Sequence, residues 1–294
     1  MALWRIGTRG SPLALAQAHW AQARWEAAGV ACEIVVIHTR GDEVQDRALD
    51  EVGGTGLFTG ELEKALLAGT VDAAVHSLKD LPTRLPDGLT MAAVTAREDP
   101  RDALVTADGR TLTDLPADAR VGTSSLRRRA IWQAAYPTMT VVPVRGNLGT
   151  RLRLLDDRVD ALVLAAAGLH RMGEADRVAE YLAPGWMVPA PGQGALAIEV
   201  RVDDQVARER AVLLEDGCTR RATDAERRLL DALGGNCQIP MGAYARREGA
   251  LWELDVFSDR PGPRTLSWTG ADLDAGVAWV LAEWGGAAGE EARA

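Results

Sequence analysis

"LWRIGTRGSPLALAQAHWAQARWEAAG", residues 3–29, decides how this chain is read. A short apolar run ends at Ile6-Gly7-Thr8, and a long segment of helical composition follows. Ser11 can cap that helix, Pro12 suits its first turn and Gly29 can close it. The unit is therefore strand, tight turn, helix. "ARVGTSSLRRRAIWQAAY", residues 119–136, is the same unit again, with Val121-Gly122-Thr123 standing for Ile6-Gly7-Thr8. A second pair of stretches echoes in the same way: "VDAAVHSLKDL" from Val71 and "VDALVLAAAGL" from Val159 share a Val-Asp-Ala-x-Val start to a buried strand. The pattern predicts an α/β fold with two related lobes. Their sheets are expected to be mainly parallel, with binding crevices at the C-terminal ends of the strands.

The tail changes character. Helix "TDAERRLLDAL" precedes "CQIPMGAYAR", "LWELDVFSD" and "RTLSWTGA", and the helical "DAGVAWVLAEWGG" closes the chain, the profile of a smaller α+β module with a short antiparallel sheet. The segments "AREDPRD" and "PAPGQGA", rich in Pro, Gly and charge, are the expected crossings between lobes. This gives a first domain of residues 1–95 and 195–213, a second of 96–194 and a third of 214–294. Hinge motion is expected near 96–100 and 191–195.

The 294 residues, 47% of them hydrophobic, suffice for two or three buried cores. A formal net charge of −9 argues against a general nucleic-acid surface, which needs basic charge to displace phosphate counterions. No apolar run approaches the roughly 20 residues of a membrane span. The N-terminal stretch is interrupted by Arg5, Arg9 and Pro12, unlike a signal peptide, so the cytoplasm is the expected location. Of 33 basic residues only Lys64 and Lys79 are lysines. Genome composition or thermal adaptation can produce such a bias, so where the arginines cluster matters more than their number.

They cluster at strand-to-helix turns. "GTSSLRRR", residues 122–129, puts hydroxyls and backbone N–H groups at a helix start with arginines in its first turns, a natural anion site. "VRGNLGTRLRLL", residues 144–155, adds Arg145 and Arg151 at another such turn, and "IGTRGS" adds Arg9 and Ser11. No G-x-x-x-x-G-K-[ST] is present, so a P-loop reading fails. "HSLKDLP", residues 76–82, ends an apolar strand with Lys79, a further anion contact, and Asp80, a carboxylate able to accept an N–H or stabilise a cation. A plain surface Lys-Asp pair is the alternative for those two. His76 reads as a satisfied core residue. "TRGDEVQDRALDEVGGTGLF", residues 39–58, has the polar, glycine-rich profile of a loop beside a site.

The three cysteines, Cys32, Cys218 and Cys237, form no C-x-x-C pair, which disfavours a disulfide framework and a structural zinc site; no metal is expected. Cys32 lies in the apolar "ACEIVVIH" and Cys218 at a helix start, and both read as inert. Cys237 stands in the glycine-rich turn "LGGNCQIPMG", residues 233–242, at the entrance to the third module. Taken on its own such a cysteine is more often structural than reactive.

Taken together, "TRGSPLALAQ", "TRGD", "GLF", "AAVHSLKDLP", "REDPRDALV", "GTSSLRRR", "RGNLGTRL", "APGQGALAIE" and the cysteine turn resemble the porphobilinogen deaminase family, in order, from about residue 4 to 246. The resemblance implies two lobes like those of periplasmic binding proteins. It implies a transferase that deaminates four porphobilinogen molecules, joins them head to tail on a dipyrromethane cofactor and releases hydroxymethylbilane by hydrolysis. Cys237 would carry that cofactor through a thioether. Ser11, Lys79, Asp80, Thr123, Ser125, Arg127, Arg128 and Arg151 would hold it, and Arg9, Gln17, Arg145 and Arg171 would hold the incoming porphobilinogen. Asp80 would be catalytic, Asp42 and Phe58 would belong to a gating loop, and a monomer is expected. Thr55, where the family most often has lysine, and Asn236, where it has a small residue, depart from the pattern. Two other classes compete: a binding protein that closes on an anionic ligand, and a cysteine hydrolase. The first has no need of Cys237 or Asp80, and the second lacks a suitable histidine partner.

Overall fold

A computed structural model describes residues 3–38, 59–155, 157–234, 239–260 and 262–291. The first strand-turn-helix unit forms as its sequence dictates. Strand β1 (Trp4–Arg9) is followed by α1 (Pro12–Ala27), whose N-terminus is capped by Ser11 with Pro12 in the first turn. Gly29, at φ +82°, ends the helix where a residue with a Cβ would be strained. Strand β2 (Cys32–Ile37), α2 (Gly60–Leu67), β3 (Ala73–Ser77) and β4 (Leu89–Val94) complete the N-terminal stretch.

The second unit repeats the plan. Strand β5 (Asp102–Val105) precedes β6 (Arg120–Gly122), α3 (Leu126–Ala135), β7 (Thr140–Val142), α4 (Leu148–Leu152), β8 (Ala161–Ala165), α5 (Ala166–Arg171) and β9 (Glu180–Tyr181). Strand β10 (Leu196–Arg201) and α6 (Gln205–Val212) then return to the first sheet.

The sheet orders are β2-β1-β3-β10-β4 and β7-β6-β8-β5-β9. In both, the first three strands are parallel and the fourth runs antiparallel to each neighbour. Four of the five strands in each sheet thus point the same way, in line with the expectation of mainly parallel sheets, and a single strand in each runs against them. The cause is the crossing: the fourth strand of each sheet arrives from the other, β5 through residues 95–101 and β10 through 182–195, and enters from the opposite end.

The two echoes in the sequence are one repeated contact. Gly7 pairs with Ala74 across β1 and β3, and Gly122 pairs with Leu162 across β6 and β8. Arg5 donates its backbone N–H and Nε to Asp72 Oδ2, at 2.9 and 3.1 Å, and Arg120 does the same to Asp160 Oδ2, at 2.7 and 3.2 Å. A Cβ on Gly7 would stand 3.1 Å from Val71, and one on Gly122 only 2.7 Å from Leu162. Glycine is thus required where a neighbouring strand and its preceding loop close on the turn.

Each sheet has its own core. Trp4, Ile6, Ala21, Trp25 and Ile198 pack between α1 and the first sheet, with the Trp4 and Trp25 rings 4.2 Å apart. Val121, Ile131, Trp132, Val163 and Met187 fill the space under α3. In the C-terminal module α7 (Gly217–Ala232) and α8 (Leu273–Glu291) contribute Leu229, Val277 and Val280 to a cluster with Ala243, Leu254 and Val256 of the antiparallel sheet β11 (Met241–Glu248), β12 (Leu251–Ser258) and β13 (Arg264–Gly270).

Candidate active site

Helix caps place the polar groups. Ser11 Oγ accepts from Ala14 N–H at 3.3 Å, Ser125 Oγ from Arg128 N–H at 3.4 Å, and Asn147 Oδ1 from Thr150 N–H at 2.9 Å. The β6–α3 turn is laced to the β7–α4 turn, since Ser124 Oγ accepts from Val144 N–H at 3.0 Å and donates to the Val144 carbonyl. Thr123 is buried, and its Oγ1 accepts from Ser125 N–H at 3.3 Å. Of the three arginines that open α3, Arg129 faces solvent while Arg127 and Arg128 turn inward, 4% and 6% exposed.

Those two meet Asp102, the first residue of β5 and fully buried. Its carboxylate lies 2.8 Å from Arg127 and 2.7 Å from Arg128. Flanking guanidinium groups hold the Asp102 carboxyl well below the usual carboxylate range, against the opposing effect of burial. Arg127 also donates to the Val188 carbonyl at 2.6 Å and Arg128 to that of Val163 at 3.0 Å.

Strand β3 ends in a single turn of 3₁₀ helix, Leu78–Asp80, pinned by the buried Leu78. Lys79 donates to Gln193 Oε1 at 3.3 Å, and burial pulls its ammonium down to about 8 although Asp80 favours the charged form. Asp80 is exposed. Arg151 feels the charges of Arg128, Asp80 and Arg145, and its Nε donates to the Gly146 carbonyl at 2.9 Å. The charges of Lys79, Asp80, Arg127, Arg128, Arg145 and Arg151, drawn from both sheets, therefore lie close enough to act on one another.

Gln17 is buried and donates to Ser77 Oγ at 2.8 Å, two residues before Lys79. Arg171 donates to the Gly194 carbonyl at 2.6 Å, and burial lowers its guanidinium to about 10. Arg9 is half-buried at the end of β1. His76 is a core residue paired with the buried Glu199 at 3.0 Å. Cys237, Asp42, Phe58, Thr55 and Asn236 lie outside the described residues. Among the described residues no group of three His, Cys, Asp or Glu could hold a metal ion. No helix among them is long and apolar enough to cross a membrane.

The site has the character of a polycarboxylate receptor. Nε of Arg127 and of Arg128 is buried with no hydrogen-bond partner among the described residues, and the Lys79 ammonium rests on a neutral amide oxygen. Three cations face one buried anion, Asp102. A ligand bearing several carboxylates fits that surplus.

Two family profiles match the chain. One is described as "Porphobilinogen deaminase, dipyromethane cofactor binding domain" and covers residues 4–209; the other is "Porphobilinogen deaminase, C-terminal domain" and covers 221–256. The chain belongs to the porphobilinogen deaminase family. The resemblance carried by its motifs is thereby borne out. A porphobilinogen deaminase of Syntrophobacter fumaroxidans is 51% identical over 244 residues, which is 82% of this chain and 79% of that protein. One of Sorangium cellulosum is 47% identical over 280 residues, 92% of this chain and 93% of that protein. Similar solved structures include a nutrient binding protein from Burkholderia cenocepacia bound to methionine, at 13% identity and TM-score 0.45, covering 74% of this chain and 94% of that one.

For a member of the porphobilinogen deaminase family the informative additions are Asp102 and Gln193, which the sequence reading did not single out. Asp102 lies in "REDPRDALV" and Gln193 in "APGQGALAIE", stretches read as crossings. Their roles depend on contacts 26 and 114 residues away, to Arg128 and Lys79, which no local pattern reveals.

Proposed function

We propose that this chain is a porphobilinogen deaminase, a transferase of porphyrin and tetrapyrrole biosynthesis with hydroxymethylbilane synthase activity. It removes ammonia from porphobilinogen, joins four units head to tail and releases hydroxymethylbilane by hydrolysis. The observation that supports this most is the cationic cluster, in which Lys79 and Arg151 interact with the exposed carboxylate of Asp80 while Arg127 and Arg128 stand beside Lys79 around the buried Asp102. Each pyrrole ring of substrate and product carries an acetate and a propionate, and guanidinium groups stay charged at any working pH.

On this reading Cys237 holds the dipyrromethane covalently, and Ser11, Lys79, Thr123, Ser125, Arg127, Arg128 and Arg151 bind its carboxylates. When bound, the dipyrromethane supplies the free pyrrole α-carbon to which new units are joined. Arg9, Gln17, Arg145 and Arg171 position the arriving porphobilinogen, and Asp42 and Phe58 cover it. Asp80 accepts pyrrole N–H groups and stabilises the positive charge that develops as ammonia leaves, an electrostatic role suited to a carboxylate framed by cations. Residues 1–95 with 195–213, 96–194 and 214–294 form the three domains, and the chain works as a monomer in the cytoplasm.

The test is turnover. The purified chain is expected to release ammonia from porphobilinogen in step with pyrrole consumption. Tight binding of porphobilinogen without consumption would return the site to a binding protein.

A further inference from the structure

Gly192-Gln193-Gly194 threads between the end of β3 and the start of β5. Both glycines have positive φ, +74° and +95°; a Cβ on Gly192 would stand 2.7 Å from Leu78, and one on Gly194 2.3 Å from the Glu98 carbonyl. The Gln193 side chain between them is fully buried. Its Oε1 accepts from Lys79 at 3.3 Å, and its Nε2 donates to the Pro100 carbonyl at 2.7 Å and to Asp102 Oδ1 at 2.8 Å. The amide orientation is fixed by chemistry: an ammonium can only donate, whereas a carbonyl and a carboxylate can only accept.

From this geometry we infer that Gln193 is a positioning residue: its amide sets Lys79 against the Asp102–Arg127–Arg128 group across the two sheets while leaving the Lys79 charge un-neutralised. A carboxylate at this place would repel Asp102, and it would offer no N–H to Pro100. An apolar residue would leave the ammonium without its acceptor. The amide is the side chain that can anchor a cation without consuming its charge, so Lys79 stays available to an anionic ligand. The inference rests on the proposed function only for what that ligand is.

The groups facing Lys79 are Asp80 on its own turn, Asp102 on β5, and Arg127 and Arg128 on α3. The chain holds just two lysines, so ¹³C labelling at lysine Cε gives two signals in the full-length protein, and Lys64→Arg assigns them. Gln193→Leu is expected to move the Lys79 titration midpoint down by about one pH unit relative to the parent at equal pyrrole loading, checked by intact mass. Gln193→Met, with an unbranched stem, serves if the leucine variant does not fold. A midpoint that stays in place while Tm falls would overturn the inference, because a purely structural glutamine costs stability without touching Lys79. The readout needs no turnover, so failure of the enzymatic reading would be seen separately.

Discussion

Glu226 on α7 accepts both terminal nitrogens of Arg97, at 2.6 and 3.1 Å. The same buried carboxylate takes the Gly192 N–H at 2.7 Å and the Ala245 N–H at 2.8 Å. One side chain thus binds both crossings between the sheets to the first strand of the third. Truncation in Glu226→Ala leaves a nearly buried guanidinium and two N–H groups unpaired. A loss of about 3–5 kcal/mol is expected in urea unfolding at neutral pH. A loss below about 1 kcal/mol would mean that the crossings are held by other contacts.

Asp102→Asn removes the buried anion between Arg127 and Arg128. About 3–5 kcal/mol of stability should go at pH 7. The folded-state carboxyl lies below the usual range, so its contribution is complete above the unfolded value of about 3.9 and is lost as pH falls through the folded one. The gap between parent and variant should stay constant from pH 7 to about 4 and narrow only below that. Unfolding midpoints measured across this range check the sign.

The two equivalent glycines should not tolerate alanine equally. A Cβ at Gly122 meets Leu162 at 2.7 Å and Val144 at 2.9 Å, whereas at Gly7 the nearest atom is Val71 at 3.1 Å. Gly122→Ala should therefore cost about 1–3 kcal/mol, and Gly7→Ala less. Thermal melts of the two variants decide the order.

Asp80→Asn keeps the size of the side chain and removes its charge. Turnover of porphobilinogen should fall about 10²-fold or more, with folding and pyrrole content unchanged. Near-normal turnover would remove Asp80 from the chemistry.

Much of this architecture is written locally. Ser11, Pro12 and Gly29 mark one helix, Ser125 marks another, and the repeated Val-Asp-Ala-x-Val predicts two equivalent strands, because caps, turns and buried strands depend on near neighbours. The antiparallel fourth strands were not legible, since β5 and β10 take their direction from crossings whose partners are remote in sequence. The arginine cluster was visible as a basic run, but which members turn inward was not. That choice is made by Asp102, whose carboxylate selects Arg127 and Arg128 and leaves Arg129 in solvent.

The most direct test is the intact mass of the purified chain beside that of Cys237→Ala, with a colour reaction for pyrroles. The parent should exceed its polypeptide mass by two deaminated porphobilinogen units and give the colour, and the variant should show neither. A parent that keeps its bare mass after incubation with porphobilinogen would contradict covalent cofactor attachment and the polymerase chemistry built on it.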